Sequence, residues 1–433
     1  MRYAFLCCLQ CFSVVVHVLA RLKGFQKLTT IEEAKKCFFS KLRVKKPKAT
    51  TVKLSQALNR VLAEDVIADE DLPRFDRSAV DGYAIKAEET VGLSQFKPKR
   101  FKITTKEYVG NGEVRQVWTG NPLPKGANAV VMLENTKKIG EELEVWVSVT
   151  PGENVSKKGE DIQKGAVAVK AGTRLKPQHL GLIAALGKAE VKVFEKPKVA
   201  ILATGNELVD LGAKPREDQI FEANRLVISA LCRELEAEPV DLGIAKDDID
   251  EITAKLKRGL EVADAIITTG GTSVGISDLV PEAVNKLGKP GVIVHGIAMR
   301  PAMPTALVIV NEKPIIVLSG NPVAAMIGFE VFAKPTINAL MRLEKEESRP
   351  VIRAKITRRV TTTLGRKTFV RVYVFKSGEE YFAEPISARG SGIISTMTRA
   401  NGYVVVPENV EGLDEGETVP VHLFDSVEGE THV

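Results

Sequence analysis

Histidine, cysteine and aromatic residues are all scarce in this 433-residue chain: five His, five Cys, and 6% Phe, Trp and Tyr. The histidines show no ligand spacing, so neither a His-based metal centre nor a Ser-His-Asp or Cys-His arrangement can be argued from them. Cys7, Cys8 and Cys11 crowd the first eleven residues, while Cys37 and Cys232 stand far apart. That distribution supplies no disulfide framework and fits a reducing compartment, so a cytoplasmic location is expected. No Lys/Arg stripe is interleaved with aromatics, and a net charge of +6 is small for the length, so nucleic-acid binding is not expected. Internal repeats and low-complexity segments are absent as well. Glutamine is scarce beside abundant Lys and Glu, a bias of proteins from hot environments.

One long apolar run covers residues 3–20, broken by Gln10, Ser13 and His17. It reads as a signal peptide, a short anchor, or the product of a start codon placed too far upstream. It has no clean small-x-small cleavage site, so residues 1–23 are treated as an extension and membrane attachment is not expected.

What remains has the balance of a soluble globular protein, with 44% hydrophobic and 27% charged residues. Thr30-Ile-Glu-Glu33 opens a predicted helix as a capping box, and Ser55 is expected to cap a second one bearing Ala57, Leu58, Val61 and Leu62. Residues 85–170 alternate in short runs between Gly and Pro turns and read as β. After Pro197, buried-type strands and helices alternate, which predicts a mostly parallel sheet covered on both faces. Residues 350–425 return to short strands, a small β module.

In open parallel sheets ligands bind beyond the carboxyl ends of the strands. Four loops leave strands at that edge: 204–207, 246–248, 269–278 and 319–322. All are rich in Gly, Ser, Thr and acids. The 269–278 loop lets backbone N–H groups approach an anion ahead of a helix start, though it is neither a Walker loop nor a dinucleotide fingerprint. A tight turn is the bland alternative. Glu207, Asp248 and Asp278 stand on three of these loops, and three carboxylates facing a phosphate loop suggest Mg²⁺. Asp248 is also a candidate helix cap. From spacing alone, Asp76, Asp81 and Asp161 are turn residues.

At these residues the chain resembles the molybdopterin molybdenumtransferase family, MoeA, which includes the E domain of gephyrin. Residues 73–84 read Pro-Arg-Phe-Asp-Arg-Ser-Ala-Val-Asp-Gly-Tyr-Ala, and 119–131 read Thr-Gly-Asn-Pro-Leu-Pro-Lys-Gly-Ala-Asn-Ala-Val-Val. Further matches are 152–161, 204–207, 270–278 and 319–323, in the family's order from about Gly24 onward. The resemblance implies an α/β multidomain chain with a central doubly wound, mostly parallel sheet, β-rich flanking domains and a small C-terminal β-barrel. The expected divisions are 24–71 plus 165–195 (an elongated dimerisation segment), 72–164 (a β-rich insert), 196–345 (the molybdopterin-binding α/β domain) and 346–433 (the barrel). It implies a homodimer, with a cleft between the central domain of one subunit and the loop near Asp81 of the other.

The implied reaction inserts molybdate or tungstate into adenylated molybdopterin with Mg²⁺ and release of AMP. Carried-over catalytic acids are Asp81, Asp161, Glu207, Asp248 and Asp278, of which Glu207, Asp248 and Asp278 are the expected Mg²⁺ ligands. Cofactor-binding positions are Thr204, Gly205, Gly270, Gly271, Thr272, Ser273, Gly275, Arg300, Ser319, Gly320, Asn321 and Pro322. A molybdopterin adenylyltransferase and apo-molybdoenzymes are the implied protein partners. Residues 300–304 read Arg-Pro-Ala-Met-Pro where the family usually has Lys-Pro-Gly-Lys-Pro. Met303 thus loses a charge, Ala302 replaces a glycine, and the choice between molybdate and tungstate stays open. Two other readings are an adenylyltransferase, which shares the central fold and glycine loop, and a non-catalytic scaffold.

Overall fold

The computed structural model describes residues 28–271, 279–343, 348–386 and 390–427. They fall into two compact units, one spanning 49–193 and the other joining the segment up to Lys48 to the chain from Phe194 onward.

The second unit is built around an apolar run, Lys198–Thr204 (β1), whose last six residues are buried. It continues through α1 (Asn224–Glu234), β2 (Glu238–Ala245), α2 (Ile249–Val262), β3 (Ala265–Thr269), α3 (Leu279–Leu287), β4 (Pro290–His295), β5 (Ala306–Val310) and β6 (Lys313–Leu318). A final helix, α4, covers Pro322–Leu340. The strand order is β2-β1-β3-β6-β5-β4. β2, β1, β3 and β6 run parallel, while β5 is antiparallel to both β6 and β4.

Alternate residues of the inner strands point to opposite faces. Ala200, Leu202 and Ile266 pack with Ile252 and Leu256 of α2 and with Val280 and Val284 of α3. Both faces of the inner strands are buried, as continuous apolar runs require. Burying each such Leu or Ile contributes about 1.5–3 kcal/mol. Because β1 leads outward to β2 before the chain crosses back to β3, the switch point lies between β1 and β3.

α4 is long and apolar enough to cross a membrane by length and composition, yet 67% of its window is buried within the protein. Phe329–Ala333 in its middle is π-helical. Beyond it, Val351–Ile356 (β7), Lys367–Ser377 (β8), Glu380–Pro385 (β9), Gly402–Val406 (β10) and Thr418–Leu423 (β11) close a five-stranded barrel, β8-β9-β7-β11-β10-β8. Val372, Val374, Val404 and Val421 fill it. The mostly parallel central sheet and the barrel are as expected from the sequence.

The capping box at Thr30 is present and opens the helix Ile31–Lys41. That helix was grouped with the 24–71 segment, but it belongs to the unit of the central sheet: Thr29 N donates to Gly296 O at 3.1 Å, and Ala298 N to Thr29 O at 2.8 Å. The helix expected after Ser55 does not form. Leu54–Gln56 makes one 3-10 turn, Asn59 takes a left-handed φ of 62°, and Val61 and Leu62 bridge to Arg174 and Val193. Ala57 is buried within the turn and Leu62 through strand-like pairing, which overrides helical spacing.

In the 49–193 unit, Gly82–Ile85 lies between Ala129–Met132 and Glu113–Val117 in a six-stranded sheet. Tyr83, Ile85, Phe101, Val131 and Leu143 form its core.

Candidate functional site

Two glycines explain how the edge loops meet at the switch point. Gly270 follows β3 with φ 89°, and its N–H donates to Leu318 O at 3.1 Å. A Cβ there would lie 2.3 Å from Thr204 O, and one on Gly320 would lie 3.5 Å from Gly270 Cα. The ends of β1, β3 and β6 therefore touch backbone to backbone. Gly205, with φ 155°, donates its N–H to Ala245 O at 3.1 Å. A Cβ on it would fall 2.7 Å from Glu207 Oε2, so the Glu207 carboxylate folds back over the turn.

Thr204 is 3% exposed, and its Oγ1 finds no hydrogen-bond partner among the described residues. It lies close to Gly271, where a Cβ would stand 2.9 Å from it. Leaving a buried hydroxyl unmet costs about 1–3 kcal/mol. A ligand atom seated between Thr204 and the glycines would meet it.

Other bonds fix the rim. Asn206 N donates to Asp247 Oδ2 (3.3 Å) and Asp247 N to Asn206 Oδ1 (3.1 Å), which ties the loops after β1 and β2. Asn224 Nδ2 donates to Gly320 O at 2.7 Å. Asn224 N donates in turn to Glu222 Oε1 at 2.8 Å, and Glu222 pairs with the Arg225 guanidinium, which also meets Asp241 and Asp210. Asn321 N donates to Ser319 Oγ at 3.3 Å, and Pro322 begins α4.

Thr204, Gly205, Gly270, Gly271, Ser319, Gly320, Asn321 and Pro322 thus share one edge with Glu207 and Asp248. Thr272, Ser273, Gly275 and Asp278 lie outside the described residues. Arg300 is exposed on a short strand, Met299–Arg300, that pairs with β8 of the barrel. Asp81 and Asp161 belong to the other unit. There, Thr119 donates both its N–H and its hydroxyl to Asp81 Oδ1 at 2.7 Å. These two bonds hold the Asp81 carboxyl below the usual range, so at neutral pH it accepts hydrogen bonds and does not donate a proton.

Asp248 caps α2, its Oδ1 accepting from Asp250 N (3.1 Å) and Glu251 N (2.8 Å). Oδ2 is left over. Asp248→Asn, which still caps, is expected to keep the melting temperature while slowing turnover at least about 10-fold if charge matters. Asp248→Ala should also lose about 0.5–2 kcal/mol of stability. Melting curves and turnover of the pair separate the roles.

Residues 29–187 match the family model of the MoeA N-terminal region (domains I and II), 200–339 that of a probable molybdopterin-binding domain, and 353–424 that of the MoeA C-terminal region (domain IV). A putative molybdopterin biosynthesis protein of Methanocaldococcus jannaschii is 37% identical over 93% of this chain and all of its own length. The molybdopterin molybdenumtransferase of Bacillus subtilis is 35% identical over 87% of this chain and 90% of its own. The crystal structure of the molybdopterin biosynthesis MoeA protein of Pyrococcus horikoshii superposes with a TM-score of 0.78 at 31% identity, over 92% of this chain and all of that one. The chain belongs to the MoeA family.

Within this MoeA chain, Ala302 stands where the sequence resemblance implies a glycine, and the backbone there would suit one: Ala302 has φ 78°. An alanine there costs about 1–2 kcal/mol. Against that, glycine loses about 0.5–1 kcal/mol more entropy on folding, and a buried methyl contributes about 0.8 kcal/mol. The terms nearly cancel. Ala302→Gly is therefore expected to shift stability by less than about 1 kcal/mol in a denaturant titration, whereas a loss above about 2 kcal/mol would contradict the balance.

Three features of this MoeA chain escaped the motifs. Ser391 O accepts from Val323 N at 3.1 Å, and a Cβ on Gly392 would lie 3.5 Å from Asn321 Oδ1, so a barrel loop abuts the start of α4. Asp247, beside the expected Asp248, locks two edge loops together. Arg371 on β8 is 7% exposed, its Nε has no partner among the described residues, and burial pushes its pKa down. The alternation Val370, Val372, Val374 places Arg371 outside the barrel's core, but nothing in the sequence reveals that it is covered.

Proposed function

We propose that this chain inserts molybdate or tungstate into adenylated molybdopterin and releases AMP, in the cytoplasm and with Mg²⁺. The observation that carries the reading is the unmet Thr204 hydroxyl beside Gly270 and Gly271 at the switch point. Thr204, Gly205, Gly270 and Gly271 bind the phosphorylated pterin end, where the Thr204 hydroxyl lacks a partner among the described residues and the glycines put no side chain in the way. Ser319 and Asn321 border it.

No group of three His, Cys, Asp or Glu side chains among the described residues forms a metal cage. Mg²⁺ needs only one or two protein carboxylates when substrate phosphates supply the rest. Glu207 and the free Oδ2 of Asp248 fit that requirement, joined by Asp278. The ion would offset phosphate charge as AMP leaves. Arg300 and Arg371, whose Nε finds no partner among the described residues, are the cations suited to an oxyanion. The chain acts as a homodimer in which Asp81 and Asp161 are contributed to a partner copy's site. A molybdopterin adenylyltransferase supplies the substrate and apo-molybdoenzymes accept the product.

The test mixes purified chain, adenylated molybdopterin, Mg²⁺ and micromolar molybdate or tungstate. AMP release with metal-loaded pterin is expected. No AMP with either oxyanion overturns the proposal.

A further inference from the structure

The chain has two tryptophans, and Trp118 is 51% exposed. A ring so large and half uncovered offers a flat apolar face to a ligand. Its place in the fold says which. Gly82 pairs with Val117 in the antiparallel sheet, so Trp118 stands one step further, opposite Asp81, and directly opposed residues project to the same face. The next residue, Thr119, clamps the Asp81 carboxylate through two bonds.

The turn carrying Trp118 is closed and anchored. Asn121 N donates to Trp118 O at 2.9 Å, Trp118 N to Asn121 Oδ1 at 3.1 Å, Gly120 N to Ser78 O at 2.8 Å and Ser78 N to Asn121 O at 2.9 Å. Arg77, exposed, lies on the strand so bound, and that strand pairs in turn with Val155–Ser156, next to Lys157. A rigid indole and a fixed carboxylate thus stand side by side, on a turn bonded to the strand that carries Arg77, which suits a planar base joined to a phosphate.

We propose that Trp118 is the stacking platform for the purine of the adenylyl group, and so a specificity-determining residue of this reaction. The inference rests on the reading that the substrate is adenylated. Stacking on an aromatic face selects a ring over a bare phosphate and tolerates little loss of area.

The experiment uses the full chain and AMP as the probe. AMP should quench tryptophan emission of the native chain. Trp118→Phe should abolish the quench, since half-buried Trp146 remains as the sole reporter, while weakening AMP binding only a few-fold by calorimetry. Trp118→Ala should weaken AMP binding about 5- to 150-fold and raise KM for adenylated molybdopterin, with kcat changed less than about three-fold. Melting curves of both variants confirm folding, and Trp118→Leu substitutes if the alanine variant fails to fold. Unchanged AMP affinity in a folded Trp118→Ala or Trp118→Leu chain overturns the inference. So does emission that ignores AMP but shifts on dilution, which makes Trp118 a subunit contact. Absence of AMP release by the native chain defeats the functional reading, while the AMP quench still reports on Trp118 independently.

Discussion

Gly270→Ala is expected to lower AMP release by more than about 100-fold in a chain that still folds. The added Cβ would lie 2.3 Å from a backbone oxygen, that of Thr204, at a φ of 89°. Neither a rotamer change nor a small tilt relieves a backbone clash, so β1 and β3 must separate at the switch point. A displacement near 1 Å at a binding site costs on the order of 100-fold, and the left-handed alanine adds about 1–2 kcal/mol of instability. Gly365→Ala is the matched control. Its φ is 80° and nothing lies within 4 Å of the new Cβ, so it should carry the backbone cost alone and leave turnover intact. Equal loss of turnover in both variants would show that the effect is instability and not a displaced edge.

The second large effect is on stability. Glu330, in the π-helical stretch of α4, is 15% exposed and accepts from Lys334 Nζ at 2.8 Å and from Arg349 Nη2 at 2.8 Å. Arg349 Nε adds a third bond at 3.0 Å. Arg349 precedes β7, so the pair ties the helix to the chain entering the barrel. Glu330→Leu would leave two cations buried without a partner, which costs about 3–5 kcal/mol and lowers the melting temperature by roughly 6–20 °C. A drop below about 2 °C would show that water reaches both cations.

The pH dependence has a definite sign. Burial raises the Glu330 carboxyl, but the hydrogen bonds and charges of Arg349 and Lys334 outweigh it and set the folded pKa below the ordinary 4.5. A depressed carboxyl contributes stability that is complete above its unfolded pKa and is lost as pH falls through the folded value. The native chain should therefore lose stability below about pH 4.5 more steeply than Glu330→Leu, and the two acid melting curves should converge.

The central sheet was legible because β1, β3 and β6 are uninterrupted apolar runs, and such runs fit only strands covered on both faces. Loops at the ends of those strands could be placed by topology, which is why Thr204, Gly270 and Ser319 could be put on one edge before any distance was known. The failures have physical causes. Ala57, Leu58, Val61 and Leu62 carry helical spacing, yet a left-handed Asn59 and pairing with residues more than a hundred positions away decide the backbone. Asp248 reads the same as cap or ligand, since capping occupies one oxygen and leaves the other. Arg371 looks like any outward-facing residue of an alternating strand, because what buries it comes from elsewhere in the chain.

The helix Ile31–Lys41 leaves the ribosome well before its neighbours. Thr29 waits for Gly296, and Lys367 Nζ bonds Glu32 across 335 positions of sequence. At about 5–20 residues per second of synthesis, that helix stays without its final partners for roughly 17–67 s, while the 49–193 unit emerges and can complete itself in between. The nascent chain therefore carries this helix with Ile31, Ala34 and Phe38 uncovered until Lys367 has been made, and a chaperone acting on this protein would find a target there.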